Sequence, residues 1–372
     1  MQSITLVGAV QAIFLSILLI SKRDKSLPDY ILMSLLVFTS IPLFYYYFNY
    51  DIAINSLSKI KIFPNFYFFI NVPFTISFAP MIYLYIKSNF NYEGKFFPKN
   101  LWPLIPTFIF VLLTLIFVNL DELKVNGFYS LNPVLTFVFL SFIPVSILIT
   151  TFFIYKSFKM IKIHEREIKQ NYSYIEDIDF RWLRNFLIIT TILWIIYIPF
   201  GMILIQMGKI IIVYQLVLIL LSVSVFVIAF FGFHHSNVFV IKSIKTDNQT
   251  VSIKNNNLNT EDFSQDIKRL KDYMNNEKPY LEYKLSLAQL SLKMEWSTTY
   301  LSKILNKELN QNFYEFVNHY RVEEVKKLLK SDSKYTNLGV AFDCGFNSKS
   351  SFHRIFKEVT GKTPNEYKKS IK

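Results

Sequence analysis

Val340-Ala341-Phe342-Asp343-Cys344-Gly345-Phe346-Asn347-Ser348-Lys349-Ser350-Ser351-Phe352-His353-Arg354-Ile355-Phe356-Lys357 decides how the last third of this 372-residue chain is read. Thr336 opens a short helix containing Ala341, whose small side chain lets a second helix approach. Gly345 supplies the left-handed turn that other residues adopt at a cost. Ser348 caps the next helix, and Phe352, Ile355 and Phe356 fall on its core face. The spacing of Ala341 and Gly345 is that of a helix-turn-helix.

Working upstream, the same plan recurs. Ser286 with Gln289 makes a capping box ahead of Leu287, Leu290 and Leu292. A turn follows at 294–296. Ser297 caps a helix carrying Tyr300, Leu301, Ile304 and Leu305 at core spacing. Ser291 and Glu295 stand where Ala341 and Gly345 stand later, and Glu in a left-handed turn costs about 1 kcal/mol relative to Gly. Asn312 and Glu315 open a joining helix through Lys330, with Phe313, Phe316, Val317 and Tyr320 on one face. Thr363-Pro364-Asn365-Glu366 starts a last helix. The joining helix is about 28 Å long at about 1.5 Å per residue. One duplex turn is about 34 Å, so two recognition helices fit successive major grooves on one DNA face.

Residues 264–370 resemble the DNA-binding domain of the AraC/XylS family of bacterial transcription activators. The resemblance rests on the opening stretch, on Gly361-Lys362-Thr363-Pro364 with Tyr367, and on Tyr300-Leu301-Ser302-Lys303, Asn312-Phe313-Tyr314 and Tyr320-Arg321. Glu295 departs from the family's usual Gly. By this resemblance and by helix phase, the candidate DNA-reading residues are Thr299, Ser302 and Lys303 in the first unit, and Lys349, Ser350, His353 and Arg354 in the second. Arg and Lys suit guanine edges; Ser and Thr suit phosphates or several bases. Lys303 and Lys349 are equally readable as phosphate contacts. Arg354 has a second reading, as a structural residue that bonds a phosphate or a neighbouring carboxylate. Tyr300, Phe352 and Phe356 are assigned to the core.

In front of this lies a different kind of sequence. Seven apolar stretches, near 4–20, 30–48, 62–86, 101–119, 131–155, 185–205 and 210–233, lack Asp, Glu, Lys and Arg. Each approaches the length of about 20 residues that spans a bilayer. The odd-numbered loops carry 13 Lys and Arg, the even-numbered loops 4. That bias places the odd loops in the cytoplasm, the N-terminus outside and the C-terminal tail inside, in a multi-pass inner-membrane protein. A cleavable signal peptide fits 4–20 poorly, because its basic cluster, Lys22, Arg23 and Lys25, follows the apolar run. Pro42, Pro73, Pro80, Pro106, Pro144 and Pro199 are read as kinks that either aid packing or open a pocket. Gln11, Asn71 and Gln215 are read as hydrogen-bonding glue between helices or as pocket lining. The longest loop, about 156–184, reaches far enough to touch the tail; anionic lipid explains its lysines equally well. Asp179-Phe180-Arg181-Trp182-Leu183-Arg184 resembles part of the seven-span sensor region that precedes such DNA-binding domains in some Bacteroidetes-type regulators.

The expected architecture is therefore all-α: a seven-helix transmembrane bundle over 1–241, a flexible Asn-rich linker over 242–263, and a cytoplasmic tandem helix-turn-helix domain of AraC type over 264–372. The linker's coil length, roughly 25 Å, keeps the reader near the bilayer. The net charge is +13, and residues 242–372 hold 23 basic against 16 acidic side chains, which favours a polyanion or serves solubility. One cysteine, Cys344, excludes an internal disulfide. No phosphate-binding Gly loop, histidine-kinase ATP motif, metal-ligand cluster or nucleophile–base set stands out, so neither cofactor, metal nor enzymatic activity is expected. His164 and the pair His234-His235 are read as plain loop and interface residues.

The expected partners are promoter double-stranded DNA, the lipid bilayer and RNA polymerase, with a homodimer and a small-molecule or envelope signal as further candidates. Two rival readings stand beside this one. The spans are a passive anchor with control by proteolysis or abundance, or the chain is a seven-span transporter or membrane enzyme with a regulatory tail.

Overall fold

A computed structural model describes residues 2–48, 64–90, 98–118, 133–176, 180–207, 210–235, 263–330 and 336–371. The linker read at 242–263 lies outside these residues except for Phe263. The described structure is helical, with one isolated antiparallel bridge, Tyr172 to Ser286. The chain divides into two compact units: residues 1–162 with 180–239, and residues 163–179 with 240–372.

The first unit holds α1 (Gln2–Ser21), α2 (Leu27–Phe48), α3 (Pro64–Asn89), a 3-10 turn (Pro98–Leu104), α4 (Ile105–Val118), most of α5 (Pro133–Asn171), α6 (Arg181–Gln206) and α7 (Ile210–His235). Among the described residues, three helices are long and apolar enough to cross a membrane: Ser3–Ser21, Leu27–Phe48 and Pro144–Asn171. Two shorter apolar helices are Asn100–Leu113 and Gln215–Ile228. The sequence reading expects seven spans, and α4 is described over Ile105–Val118.

Small residues set the close approaches. A Cβ at Gly8 would lie 2.6 Å from Ser222 Oγ, so α1 and α7 pack there nearly backbone to backbone. Gln215 Nε2 donates to Tyr46 Oη at 3.0 Å, the interhelical bond expected of it. Pro42, Pro144 and Pro199 lie inside α2, α5 and α6. Asp29, in the first turn of α2, is buried and satisfied by Lys22 Nζ at 2.9 Å and by the Ser26 N–H and hydroxyl, each at 2.7 Å. On the outside, Ile4, Val7, Val10, Phe14, Ile17 and Ile20 of α1 form an exposed apolar stripe at helical spacing, and α6 and α7 carry similar ones.

The second unit contains α8 (Ser264–Glu277), a 3-10 turn (Pro279–Leu281), α9 (Leu287–Met294), α10 (Thr298–Lys303) running into a π turn (Ile304–Glu308), α11 (Phe313–Lys330), α12 (Asn337–Asp343), α13 (Lys349–Thr360) and α14 (Pro364–Ser370). Each cap read from the sequence is formed. Ser286 accepts from Gln289 N–H in a full capping box, Ser297 from Tyr300, Thr336 from Gly339, Ser348 from Ser351, and Thr363 with Glu366 makes a second capping box. Asn312 and Glu315 cap α11 reciprocally at 2.9 and 3.1 Å. The front core gathers Leu270, Met274, Leu290, Leu301, Ile304 and Val317. Leu292 is 67% exposed, because it falls on the far side of α9 from Leu287, Leu290 and Met294.

Candidate nucleic-acid interface

The two helix-turn-helix units are built on one backbone plan. In the first, Trp296 N–H donates to Ser291 O at 2.9 Å and Glu295 N–H to Leu292 O at 3.1 Å; in the second, Phe346 N–H donates to Ala341 O at 3.1 Å and Gly345 N–H to Phe342 O at 3.0 Å. The residues after the turn correspond as well. Leu301 of α10 and Ile304 and Leu305 of the π turn that continues it match Phe352, Ile355 and Phe356 of α13, and all six are buried. Thr299, Ser302 and Lys303 thereby take the same helix positions as Ser350, His353 and Arg354.

The turn residues differ. Gly345 has φ +86°, and a Cβ there would lie 2.5 Å from Tyr280 O and 2.9 Å from Leu281 O, so both conformation and space demand Gly. Glu295 makes the equivalent turn at φ 61° with a side chain in place. Ser291, at the Ala341 position, is buried, and its hydroxyl lacks a hydrogen-bond partner among the described residues.

Of the seven residues singled out, Thr299, Lys349 and Ser350 are exposed. Ser302 is half-buried, and its hydroxyl accepts from Asn306 Nδ2 at 3.0 Å. Lys303 Nζ lies 4.7 Å from the centre of the Phe263 ring, which steadies a flexible cation beside α10. His353 is half-buried, edge-on to Phe352.

Arg354 is the most constrained of the seven. Its Nη2 donates to Tyr314 Oη at 2.7 Å, and its Nη1 lies 3.5 Å from Glu358. Burial alone would lower its pKa; Tyr314 and Glu358 outweigh that and raise it above the ordinary arginine value. Tyr314 and Glu358 together thus hold the Arg354 guanidinium in place. Phe352 and Phe356 are fully buried, whereas Tyr300 is only partly so, because its hydroxyl reaches out to donate to Asp266.

The residue that sequence reasoning left without a role is Arg321. It is 2% exposed on α11. Its Nε donates to Tyr280 O at 2.8 Å, Nη2 to Glu282 O at 2.9 Å and Tyr283 O at 3.3 Å, and Nη1 to Asn318 Oδ1 at 3.2 Å. Burial pulls the guanidinium down to about 10, with the Glu176 carboxylate opposing, so it stays charged at neutral pH. The signal in the sequence was a cation in register with Val317 and Val325 on the core face.

Glu324, one helix turn away, accepts from Lys278 Nζ at 2.6 Å, Tyr280 Oη at 3.2 Å and Lys327 Nζ at 3.4 Å. Burial opposes its ionisation, but the two lysines prevail and hold the carboxyl below its usual range.

Comparison with known proteins bears on this unit. Residues 290–370 match a family described as a helix-turn-helix domain. An uncharacterized HTH-type transcriptional regulator of Staphylococcus aureus (strain COL) is 39% identical over 85 residues, which is 23% of this chain and 11% of that protein. A counterpart in Staphylococcus aureus (strain MRSA252) matches to the same extent. The HTH-type transcriptional regulator YijO of Escherichia coli (strain K12) is 39% identical over 74 residues, 20% of this chain and 25% of that protein. The chain thus spans about a tenth of the staphylococcal relatives and a quarter of the Escherichia coli one. A solved structure of a protein of unknown function from Listeria innocua is 29% identical, covering 28% of this chain and 97% of its own, with a TM-score of 0.26. The C-terminal part of this chain thus carries a helix-turn-helix domain.

Proposed function

We propose that this chain is a membrane-integral, sequence-specific transcription regulator whose tandem helix-turn-helix unit reads promoter DNA and whose apolar region holds, and responds to a signal in, the inner membrane. The observation that carries this is the repeat itself. Two turns of like hydrogen bonding present two helices whose inner faces are buried at matching positions and whose outer faces carry Thr299 in one, Lys349 and Ser350 in the other. The relatives that match here are named as transcriptional regulators.

The apolar region supports a membrane setting. Its outward stripes on α1, α6 and α7 are too apolar and too extensive for water. The chain is read as seven-span, N-terminus outside and tail cytoplasmic. One structural fact supports the last point: residues 163–176 of the fifth loop belong to the same compact unit as the reader, as a loop and tail on one side of the membrane would. A cavity of about 90 Å³, lined by Thr39, Phe74, Trp194 and Tyr197 among others, lies within the apolar unit and is the place where a signal molecule would be sought. Engagement of RNA polymerase, and a homodimer, belong to the same reading.

Two assays test it. Fluorescent-protein and alkaline-phosphatase reporters fused after Lys372 should be active and inactive respectively, and the reverse pattern refutes the topology. Full-length protein in lipid nanodiscs should enrich particular fragments from sheared host genomic DNA, with affinity falling as salt rises because phosphate contacts release counterions. Failure to enrich any fragment refutes the DNA reading.

A further inference from the structure

The segment that follows α5 is seated in the reader. Ser173, Tyr174 and Ile175 are 1%, 7% and 7% exposed. Tyr172 pairs with Ser286 in the antiparallel bridge. The Ser173 N–H and hydroxyl donate to Leu285 O at 3.2 and 2.7 Å. The Ser173 carbonyl accepts from Arg321 Nη1 and Asn318 Nδ2, each at 3.1 Å, and its hydroxyl accepts from Arg321 Nη2 at 3.1 Å. Glu176 accepts from the Ser351 hydroxyl in the first turn of α13. Lys169, in the last turn of α5, stands 5.9 Å from the centre of the Tyr314 ring, and Tyr314 in turn holds Arg354.

The placement of these contacts matters more than their number. Leu285 and Ser286 open the first helix-turn-helix unit, Asn318 and Arg321 lie on the joining helix, and Ser351 opens the recognition helix of the second unit. One short peptide therefore touches the front unit, the joiner and the back unit together. Such a peptide fixes how the two units sit relative to each other. It does so without covering the recognition face: Thr299, Lys349 and Ser350 stay exposed while it is seated. A seated peptide of this kind is a brace and not a plug. A two-headed reader whose heads are already held in place loses less freedom on binding DNA and binds it more tightly.

We propose that the reader carries a peptide-docking groove floored by Arg321 and Asn318, that its occupant is this chain's own segment 172–176, and that seating or unseating this segment sets the affinity for DNA. The inference rests on the reading of the tail as a DNA reader, and it deepens that reading by naming the coupling device. The occupant is attached to the end of α5, a single unbroken helix from Pro133 to Asn171, so a shift of that helix along or about its axis acts directly on the docked residues. Each state of the segment has a distinct set of contacts with the reader, which is what a population shift requires.

The test uses the full chain in lipid nanodiscs, with Cys344 replaced by Ala and the bridge partners converted together, Tyr172→Cys and Ser286→Cys. Antiparallel partners have Cα atoms about 4.5–5.5 Å apart, inside the window a disulfide tolerates. Mild oxidation should give an intrachain disulfide, and the oxidised protein should bind duplex fragments enriched by the unmodified protein at least as tightly as the unmodified protein does. Unseating the segment with Ser173→Pro and Glu176→Arg should weaken binding by about tenfold, within the usual span of coupling between sites. Amide-exchange protection in α11 and α13 should persist in that variant; Glu176→Gln, which leaves the backbone contacts in place, should give a smaller loss.

An absent disulfide, or one formed only between two chains, overturns the assignment of the occupant. Equal or tighter DNA binding by the unseated variants, with protection intact, overturns the brace. If the unmodified protein enriches no DNA at all, the disulfide arm still decides the docking while the functional reading above fails by itself.

Discussion

Arg321 Nη1 donates to the carbonyl oxygen of Ser173, 148 residues earlier in the chain, at 3.1 Å. The same guanidinium serves Tyr280, Glu282 and Tyr283 carbonyls through its other nitrogens. A lysine has one ammonium where arginine has a planar fork, so it can satisfy only part of this set. Arg321→Lys is expected to cost about 2–4 kcal/mol of reader stability, since buried carbonyls are left without donors. Urea unfolding followed by amide exchange in α11 would measure this; a loss under about 0.5 kcal/mol, the size of an ordinary surface change, contradicts the assignment.

Ser291 points the other way. Its buried hydroxyl has no partner among the described residues, and the corresponding position in the second unit is Ala341. Ser291→Ala should therefore raise stability by about 1 kcal/mol, the desolvation cost of an unsatisfied hydroxyl. Gly345→Ala should lower it by at least about 2 kcal/mol through the left-handed backbone and the contact with Tyr280 O. Thermal melts of the two variants should shift in opposite directions.

Glu324 predicts an acid-sensitive contact. Its folded carboxyl is held below the unfolded value of about 4.3 by Lys278 and Lys327. The stabilisation is therefore fully present above that unfolded value and is lost as pH falls through the lower folded one. Glu324→Gln should flatten the stability profile below about pH 4.5 while lowering stability at pH 7. Proteolytic susceptibility of the reader as a function of pH would show it, and an unchanged acid limb contradicts the role.

Lys349 and Arg354 should separate contact from scaffold. Lys349 is exposed, so Lys349→Ala should weaken DNA binding by about 1–3 kcal/mol if it reads a base, or reduce the salt slope by about 1 if it meets a phosphate. Neither outcome should change thermal stability. Arg354→Ala should lower both stability and affinity, because Tyr314 loses its partner. Binding assays at several salt concentrations, paired with melts, distinguish the two residues.

What could be read in advance follows from the range of the forces involved. Caps at Ser286, Ser297, Thr336, Ser348 and Thr363 are contacts within three or four residues, so the sequence displays them directly. The turn at Glu295 was likewise visible through its match with Gly345, and its left-handed backbone is as expected. The apolar helices give no facing signal of their own; in a chain apolar all round, neighbours and lipid look alike to a hydropathy count. The seat of Ser173 was out of reach for another reason. Its partners lie more than 100 residues away, and only the cation at Arg321, in core register, hinted that something polar had to meet it.

The most direct test of the account is guanine-N7 methylation protection on a fragment selected by the full-length protein in nanodiscs, since N7 lies in the major groove. Two recognition helices matched position by position, α10 and α13, predict two protected patches about 10 bp apart on one face of the duplex. Weakening of one patch by Thr299→Ala, and of the other by Lys349→Ala, would assign each helix to its groove. A single patch, or none in the major groove despite tight binding, would contradict the claim that this chain grips DNA with both units.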